Sequence, residues 1–201
     1  MIAIIDYGMG NVGSVANAIH SLGKEVIIPK TKNDFEAASH IILPGVGSFA
    51  EGMKNLENLG YVDILNNEVI KNHKPFLGLC LGMQLLADFG DEGGPSKGLG
   101  WIEGSVKKLE TKKDFKIPHI GWNDIFPRKD SLLFQNVIQP IFYFVHSYHF
   151  LTKETSSIAA EFEYGKRFVA AIEKENIFGL QFHTEKSQSE GLKVLENFLS
   201  I

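Results

Sequence analysis

A single cysteine lies between two glycines in a pattern that suits a nucleophile. Cys80 is the only cysteine among the 201 residues, and it is the centre of the run Gly78-Leu-Cys80-Leu-Gly82. Glycines on both sides let a chain bend sharply from a strand into a helix, which exposes the central side chain. The start of a helix also favours thiolate over thiol. A free cysteine is otherwise most often a small buried apolar residue, so both interpretations stay open at this point.

A thiol nucleophile needs a base and a group that orients the base. Among seven histidines, His183 stands out because it follows the apolar run 177–182 and precedes Glu185 by two residues. Residues i and i+2 of an extended chain face the same side, so Glu185 could hold one imidazole nitrogen while the other faces the thiol. Cysteine, histidine and carboxylate in this relation form a catalytic triad. A lone His-x-Glu is a weak signal, and a structural pair is the competing interpretation.

A glycine-rich turn offers backbone N–H groups near the same place. Gly45, Val46 and Gly47 follow a second apolar strand. In a parallel sheet this turn and the Cys80 turn both lie at the carboxyl ends of strands, where ligands bind. One N–H from the turn and the N–H of Leu81 could then hold a tetrahedral oxyanion. The spacing Gly8-x-Gly10-x-x-Gly13 also matches a dinucleotide-binding loop, but no acidic ribose partner stands out about 20 residues on, so that function is disfavoured.

The elements that must position these residues differ between the two halves of the chain. Residues 2–5, 25–28, 40–43 and 75–80 read as buried strands, and residues 11–22 and 53–71 as helices. Residues 100–109, 115–125, 141–150, 157–162, 168–172 and 177–182 read as further strands, and 190–199 as a closing helix. We therefore predict an α/β fold, with a mostly parallel central sheet covered by helices on both faces and an antiparallel extension in the second half. One domain is expected over residues 1–201.

Composition narrows the function classes. Hydrophobic residues make up 44% and charged residues 22% of the chain, the balance of a globular protein. A formal net charge of −4 gives no footprint for nucleic acid or an anionic membrane surface. No apolar run reaches membrane-spanning length, and Asp6 interrupts the N-terminal apolar stretch too early for a signal peptide. A lone cysteine excludes an internal disulfide and fits the cytoplasm. No metal or other cofactor is expected.

Taken together, the motifs resemble those of class I, triad-type glutamine amidotransferases, a family with a flavodoxin-like fold. The segments that carry this resemblance are Gly78–Gln84, Pro44–Gly47 and Gln181–Glu185. Four others resemble the glutaminase subunits of imidazole glycerol phosphate synthase: Ile5–Asn11, Pro118–Asn123, Phe142–Tyr148 and Glu185–Ser187. The resemblance runs from the first strand to the last helix.

The resemblance implies hydrolysis of glutamine through a thioester. Cys80 would attack the side-chain amide, His183 would take the thiol proton and deliver it to the leaving ammonia, and Glu185 would orient His183. The oxyanion hole would come from Gly45, Val46, Gly47 and Leu81, and glutamine would be positioned by Gln84, Ser147 and Tyr148.

The resemblance also implies a partner. In the family, ammonia passes to a (β/α)₈-barrel cyclase subunit, bound as a heterodimer, which closes an imidazole ring in histidine biosynthesis. Candidate contacts are Asn11 and the aromatic residues Trp122 and Tyr143. Large aromatic residues favour interface cores, although ordinary core positions are the competing interpretation.

One residue departs from the family pattern. Thr184 stands between the histidine and the glutamate, where the family usually has proline. The substitution relaxes φ and adds an N–H group. It leaves open a related subunit that feeds ammonia to another acceptor, such as an amidino group on a surface sugar. Two further hypotheses are a non-catalytic regulatory subunit and a cysteine hydrolase or redox sensor.

Overall fold

A nine-stranded mixed sheet forms the centre of the computed structural model, which describes residues 1–201. The strands are β1 Ile2–Ile4, β2 Val26–Ile27, β3 His40–Gly45, β4 Phe76–Cys80, β5 Phe89–Gly90, β6 Ser96–Lys97, β7 Gly104–Lys108, β8 His119–Pro127, β9 Ile141–His146, β10 Tyr148–Thr152, β11 Ile158–Glu163, β12 Arg167–Lys174 and β13 Ile177–Leu180. The helices are α1 Val12–Ser21, α2 Lys32–Ala37, α3 Phe49–Asn58, α4 Tyr61–Leu65, α5 Leu81–Gln84 and α6 Gln188–Phe198. A π-helical segment, Asn66–Lys71, and two 3₁₀ turns, Thr155–Ser157 and Thr184–Lys186, complete the set.

The strand order confirms the predicted fold class. The order is β2-β1-β3-β4-β13-β12-β11-β8-β9. The first five strands are parallel, and the last four run antiparallel to their neighbours. The antiparallel extension is therefore joined to the parallel part through β13, which lies between β4 and β12.

Both faces of the parallel part are buried, as its continuous apolar strands require. Along β3, Ile41 and Leu43 point into one hydrophobic cluster, and Ile42 points into the other. The first cluster includes Phe49 of α3, and the second includes Phe198 of α6. Because successive strand residues face opposite sides, an unbroken apolar run is stable only when helices cover both.

The structure differs from the sequence prediction in several places. The expected strand over 141–150 is two strands, because the chain turns at Ser147 and β10 then pairs with β7 in a second sheet of order β10-β7-β5-β6. The expected helix over 53–71 is interrupted at Gly60, whose φ of 69° ends α3. Helix α2 was not expected, although Thr31 and Asp34 form a capping box at its start.

The carboxyl ends of three parallel strands meet at one edge of the large sheet. Gly45 at the end of β3 pairs with Cys80 at the end of β4. Leu180 at the end of β13 pairs with Leu79 on the other side of β4. The residues that follow these strands are therefore brought together, although Gly45 and Cys80 are 35 positions apart and Leu79 and Leu180 are 101 positions apart in the chain.

Candidate active site

Cys80 lies at the bend between β4 and α5 in a backbone conformation that is rare for a residue with a side chain. Its φ is 52° and its ψ is −105°, and the residue is buried. An added Cβ at Gly82 would overlap the carbonyl oxygen of Leu43, and one at Gly78 would overlap the carbonyl of Gly82. The glycines are thus needed for close packing, and the surrounding structure holds the strained residue in place. Helix α5 is a single turn of four residues, so its dipole is smaller than the sequence pattern suggested.

His183 and Glu185 form a buried hydrogen-bonded pair at the end of β13. Nδ1 of His183 lies 2.8 Å from Oε1 of Glu185. The sequence predicted an extended chain here, and this prediction was wrong: Thr184–Lys186 is a 3₁₀ turn, and it is this turn that brings the side chains of His183 and Glu185 together. The hydroxyl of Ser187 donates to the His183 carbonyl, and the His183 N–H donates to the Tyr143 carbonyl over 2.9 Å. The histidine backbone is therefore fixed from two sides.

The environment of His183 favours its protonated form. Burial, the largest influence, lowers the pKa of His183, but its interactions with Cys80 and Glu185 together outweigh burial and raise the pKa to about 10. Nε2 is buried and has no hydrogen-bond partner in the structure. An imidazole held by a carboxylate on one side and facing a thiol on the other can accept the thiol proton.

A cavity of about 300 Å³ opens beside the thiol. Its wall contains Val46, Gly47, Cys80, Leu81, Gln84, Glu92, Pro118, Val145, His146, Ser147 and Tyr148. The structure therefore brings together every residue that the sequence suggested for oxyanion or glutamine binding except Gly45. That residue lies one position earlier, at the end of β3 and opposite Cys80.

The candidate oxyanion donors are backbone groups on two segments. Leu81 is the first residue of α5, so its N–H has no acceptor within the helix. On the facing loop, Val46 is 47% exposed and Gly47 has a φ of +110°. An added Cβ at Gly45 would overlap the buried hydroxyl of Tyr7. The loop is thus packed tightly at Gly45 and open at Val46, next to the cavity.

Two residues in this region were missed by the sequence argument. Glu92 contributes the one carboxylate of the cavity wall, and burial raises its pKa. Gln181 is fully buried, and its Nε2 donates to the Cys80 sulfur over 3.7 Å. Glu92 lies in a turn and carries no motif, so nothing in the sequence marked it. Gln181 was part of the recognised motif, but only the structure shows that its amide reaches the thiol.

Comparison with known proteins identifies the family. The model of the glutamine amidotransferase class-I family matches residues 3–201. The chain belongs to this family. Imidazole glycerol phosphate synthase subunit HisH 1 of Campylobacter jejuni (strain RM1221) is 48% identical over 100% of both chains. Subunit HisH 2 of Pseudomonas aeruginosa is 40% identical over 100% of both, and subunit HisH of Aquifex aeolicus is 44% identical over 97% of this chain and 94% of its own.

These relatives also place the amidotransferase within the HisH subunits, as the sequence motifs predicted. Solved structures support the fold at lower identity. A structure described as a glutamine amidotransferase gives a TM-score of 0.77 at 18% identity, covering 100% of this chain and 98% of the other. The glutaminase domain of Trypanosoma brucei CTPS with bound acivicin gives 0.66 at 16%, covering 99% and 93%.

An exposed aromatic patch borders the site of this amidotransferase. Trp122 is 48% exposed, and its ring meets the Tyr143 ring edge to face at 6.0 Å. The ammonium group of Lys186 lies 5.7 Å from the centre of the Tyr143 ring. Asn11 caps α1 and lines a small second cavity together with His183 and Glu185. The three residues suggested for partner contact thus lie near the His183 side of the site.

Two further observations concern classes of function. The structure contains no group of three or more histidine, cysteine, aspartate or glutamate side chains placed to hold a metal ion. None of its helices combines the length and apolar character needed to cross a membrane.

Proposed function

We propose that this chain is the glutaminase subunit of an imidazole glycerol phosphate synthase and releases ammonia from glutamine through a Cys80 thioester. The observation that carries the proposal is the meeting of three strand ends. The thiol at the end of β4 lines the open cavity, and the His183–Glu185 pair that follows the neighbouring strand β13 lines the second, smaller cavity. The full-length similarity to HisH subunits supports the same activity.

We assign each step of the proposed reaction to one of these residues. His183 takes the thiol proton at Nε2, which gives the thiolate–imidazolium pair that the raised pKa of His183 favours. The sulfur then attacks the side-chain amide carbon of glutamine. The N–H groups of Leu81 and of the loop at Val46 receive the negative oxygen of the tetrahedral intermediate. His183 then gives its proton to the leaving nitrogen, which departs as ammonia and leaves a thioester. Water, deprotonated by His183, hydrolyses the thioester to glutamate and frees the thiol.

Glu92 suits the other end of the substrate. Glutamine carries an α-ammonium group, and Glu92 is the carboxylate in the cavity wall. Burial costs such a carboxylate energy unless a cation approaches, so an ammonium group would be favoured there. We expect Glu92→Gln to raise KM for glutamine by about 10- to 100-fold with a smaller effect on kcat. An unchanged KM would remove Glu92 from the binding site.

We propose that the released ammonia passes to a synthase partner. The patch of Trp122 and Tyr143, with Asn11 nearby, lies on the same side of the site as the His183–Glu185 pair. We propose that this face docks a (β/α)₈-barrel cyclase in a heterodimer, since exposed aromatic residues are the usual centres of interfaces. The cytoplasm, where a free thiol stays reduced, is the compartment expected for this activity.

Reconstitution tests the proposal. Purified protein is mixed with the cyclase subunit, its ribonucleotide substrate and glutamine, and both glutamate and imidazole glycerol phosphate are measured. We expect one glutamate for each imidazole product, and no turnover with Cys80→Ala. Without the partner we expect low activity, because the exposed loop at Val46 has to direct its N–H inward. Unchanged turnover of Cys80→Ala would refute the thioester mechanism.

A different ammonia acceptor is the second candidate. Thr184 departs from the usual proline, and several relatives carry a number, 1 or 2, in their names. Glutamate production without imidazole glycerol phosphate would support this acceptor over the histidine pathway. A glutamine-like electrophile that leaves Cys80 unlabelled would instead support a non-catalytic subunit.

A further inference from the structure

The side chain of Gln181 lies between the thiol and a second buried amide. Its Nε2 donates to the Cys80 sulfur over 3.7 Å, and its Oε1 accepts from Gln84 Nε2 over 3.0 Å. Gln181 is completely buried, so water cannot replace either contact. The Cys80 sulfur therefore accepts a hydrogen bond from a side-chain N–H group that does not belong to the His183–Glu185 pair.

The orientation of this amide is determined by its neighbours. Nε2 of Gln84 also donates to the backbone carbonyl of Tyr148 over 3.0 Å, and a carbonyl can only accept. The nitrogen of Gln84 must therefore face Tyr148. Its second hydrogen then points to Gln181 and requires an oxygen there. As a result, the nitrogen of Gln181 is turned to the sulfur.

Two buried histidines fix the Tyr148 carbonyl from the other side. His146 Nδ1 donates to that carbonyl over 2.7 Å, which leaves its Nε2 as an acceptor for His119 Nδ1 at 3.1 Å. His119 Nε2 then accepts from Asn123 Nδ2 over 3.3 Å. Burial lowers the pKa of His146 to about 3 and of His119 to about 4. Both rings are thus neutral near pH 7, as this sequence of donors and acceptors requires.

We propose that Gln181 is a catalytic residue whose N–H stabilises the Cys80 thiolate, and that Gln84, His146 and His119 hold it in that orientation. The inference rests on the proposed function for its role in turnover. When the thiol proton moves to His183, the sulfur becomes a charged acceptor and its bond to Gln181 strengthens. In the thioester the sulfur loses that charge and the bond weakens. The N–H of Gln181 therefore stabilises the thiolate at two steps. The first is before the sulfur attacks glutamine, and the second is when the sulfur leaves as the thioester is hydrolysed.

Two substitutions separate the two contacts of Gln181. Gln181→Met removes both contacts without adding a charge, whereas Gln181→Glu keeps an oxygen for Gln84 but replaces the N–H beside the sulfur with a carboxylate, which opposes the thiolate further. We expect both variants, assembled with the synthase partner, to lose about 10- to 100-fold in kcat, the range for a hydrogen bond to a charged acceptor. KM for glutamine should change less than threefold. Alkylation of Cys80 by iodoacetamide near neutral pH, which follows the thiolate, should slow by a similar factor.

Gln135→Met, at an exposed position, is the matched control and should leave both rates unchanged. Urea unfolding shows which variants fold, and the isosteric Gln181→Glu serves if Gln181→Met does not. Alkylation and kcat within twofold of the wild type in a folded variant would overturn the proposal. If the wild-type protein makes no glutamate but substitution of Gln181 still slows alkylation, the proposed function is refuted, whereas the role of Gln181 in stabilising the thiolate is supported.

Discussion

Three buried histidines should make the protein lose stability steeply in mild acid. Burial is the largest cause in each case, and it lowers the pKa of His119 to about 4, of His146 to about 3 and of His149 to about 4. In the unfolded chain each imidazole titrates near 6.5. A lowered pKa means that the fold favours the neutral ring. The contribution to stability is therefore complete above pH 6.5 and is lost as the pH falls from 6.5 toward 4.

The size of the effect follows from the number of protons. Each proton that only the unfolded chain binds changes the free energy of unfolding by about 1.4 kcal/mol per pH unit. Three such histidines give about 4 kcal/mol per pH unit near pH 5, or about 3 if solvent partly screens His119 and His149. Whole domains are stable by only about 5–15 kcal/mol, so one to two pH units should remove much of the stability.

The contribution of His183 to stability depends on pH in the opposite direction. Contacts with Cys80 and Glu185 outweigh burial and raise its pKa to about 10, so its contribution is complete below pH 6.5 and is lost as the pH rises toward 10. It therefore does not mask the acid effect, and stability should be highest near pH 6.5.

Urea unfolding at half-unit steps from pH 7 to pH 5 measures the slope. His146→Gln and His149→Gln should each reduce the slope by about 1.4 kcal/mol per pH unit, whatever they cost at pH 7. The exposed His20, changed to glutamine, controls for the substitution itself. A wild-type slope below about 1.5 kcal/mol per pH unit between pH 5.5 and 5 would refute the reasoning, because it would mean that no more than one of these rings stays neutral in the fold.

Three other predictions concern stability and are measured by urea unfolding. Gly82→Ala should prevent normal folding, because its Cβ would overlap the Leu43 carbonyl. Gly13→Ala in α1, where the added Cβ meets no atom within 4 Å, should instead stabilise the protein by about 0.5 kcal/mol. Equal effects of the two substitutions would contradict this prediction. Thr184→Val should stabilise by about 1 kcal/mol, since the buried hydroxyl has no partner; a loss would show an unseen hydrogen bond. Lys74→Met should lower the free energy of unfolding by about 3 kcal/mol, because the buried carboxylate of Glu68, which lies 2.9 Å from the Lys74 ammonium group, would lose its cation. A loss below about 1 kcal/mol would indicate a weak pair.

The sequence was sufficient to predict those parts of the fold and of the site that depend on neighbouring residues or on strongly apolar runs. Continuous apolar runs gave the parallel strands, because only burial on both faces makes such runs stable. The spacing of Gly78, Cys80 and Gly82 gave the bend, since the packing leaves no space for a Cβ at either glycine. The contact between His183 and Glu185 was also anticipated, although the chain achieves it through a 3₁₀ turn rather than a strand.

What the sequence could not give depends on contacts between distant segments. Gln181 meets Gln84 across 97 positions, and no periodicity encodes that distance. The turn at Ser147 moves the chain from one sheet to the other within what reads as one apolar strand. Glu92 looks like any loop carboxylate until the wall of the cavity closes around it.

The central place of β13 has a consequence for synthesis on the ribosome. Until residue 180 has emerged, the apolar strand β4 has an unpaired edge, which is a template for association with other chains. We therefore expect nascent chains to need protection by chaperones until late in translation. The same arrangement delays activity: under the proposed mechanism Cys80 gains its base only when His183 arrives beside it. Incomplete chains thus carry the nucleophile but cannot release free ammonia in the cell.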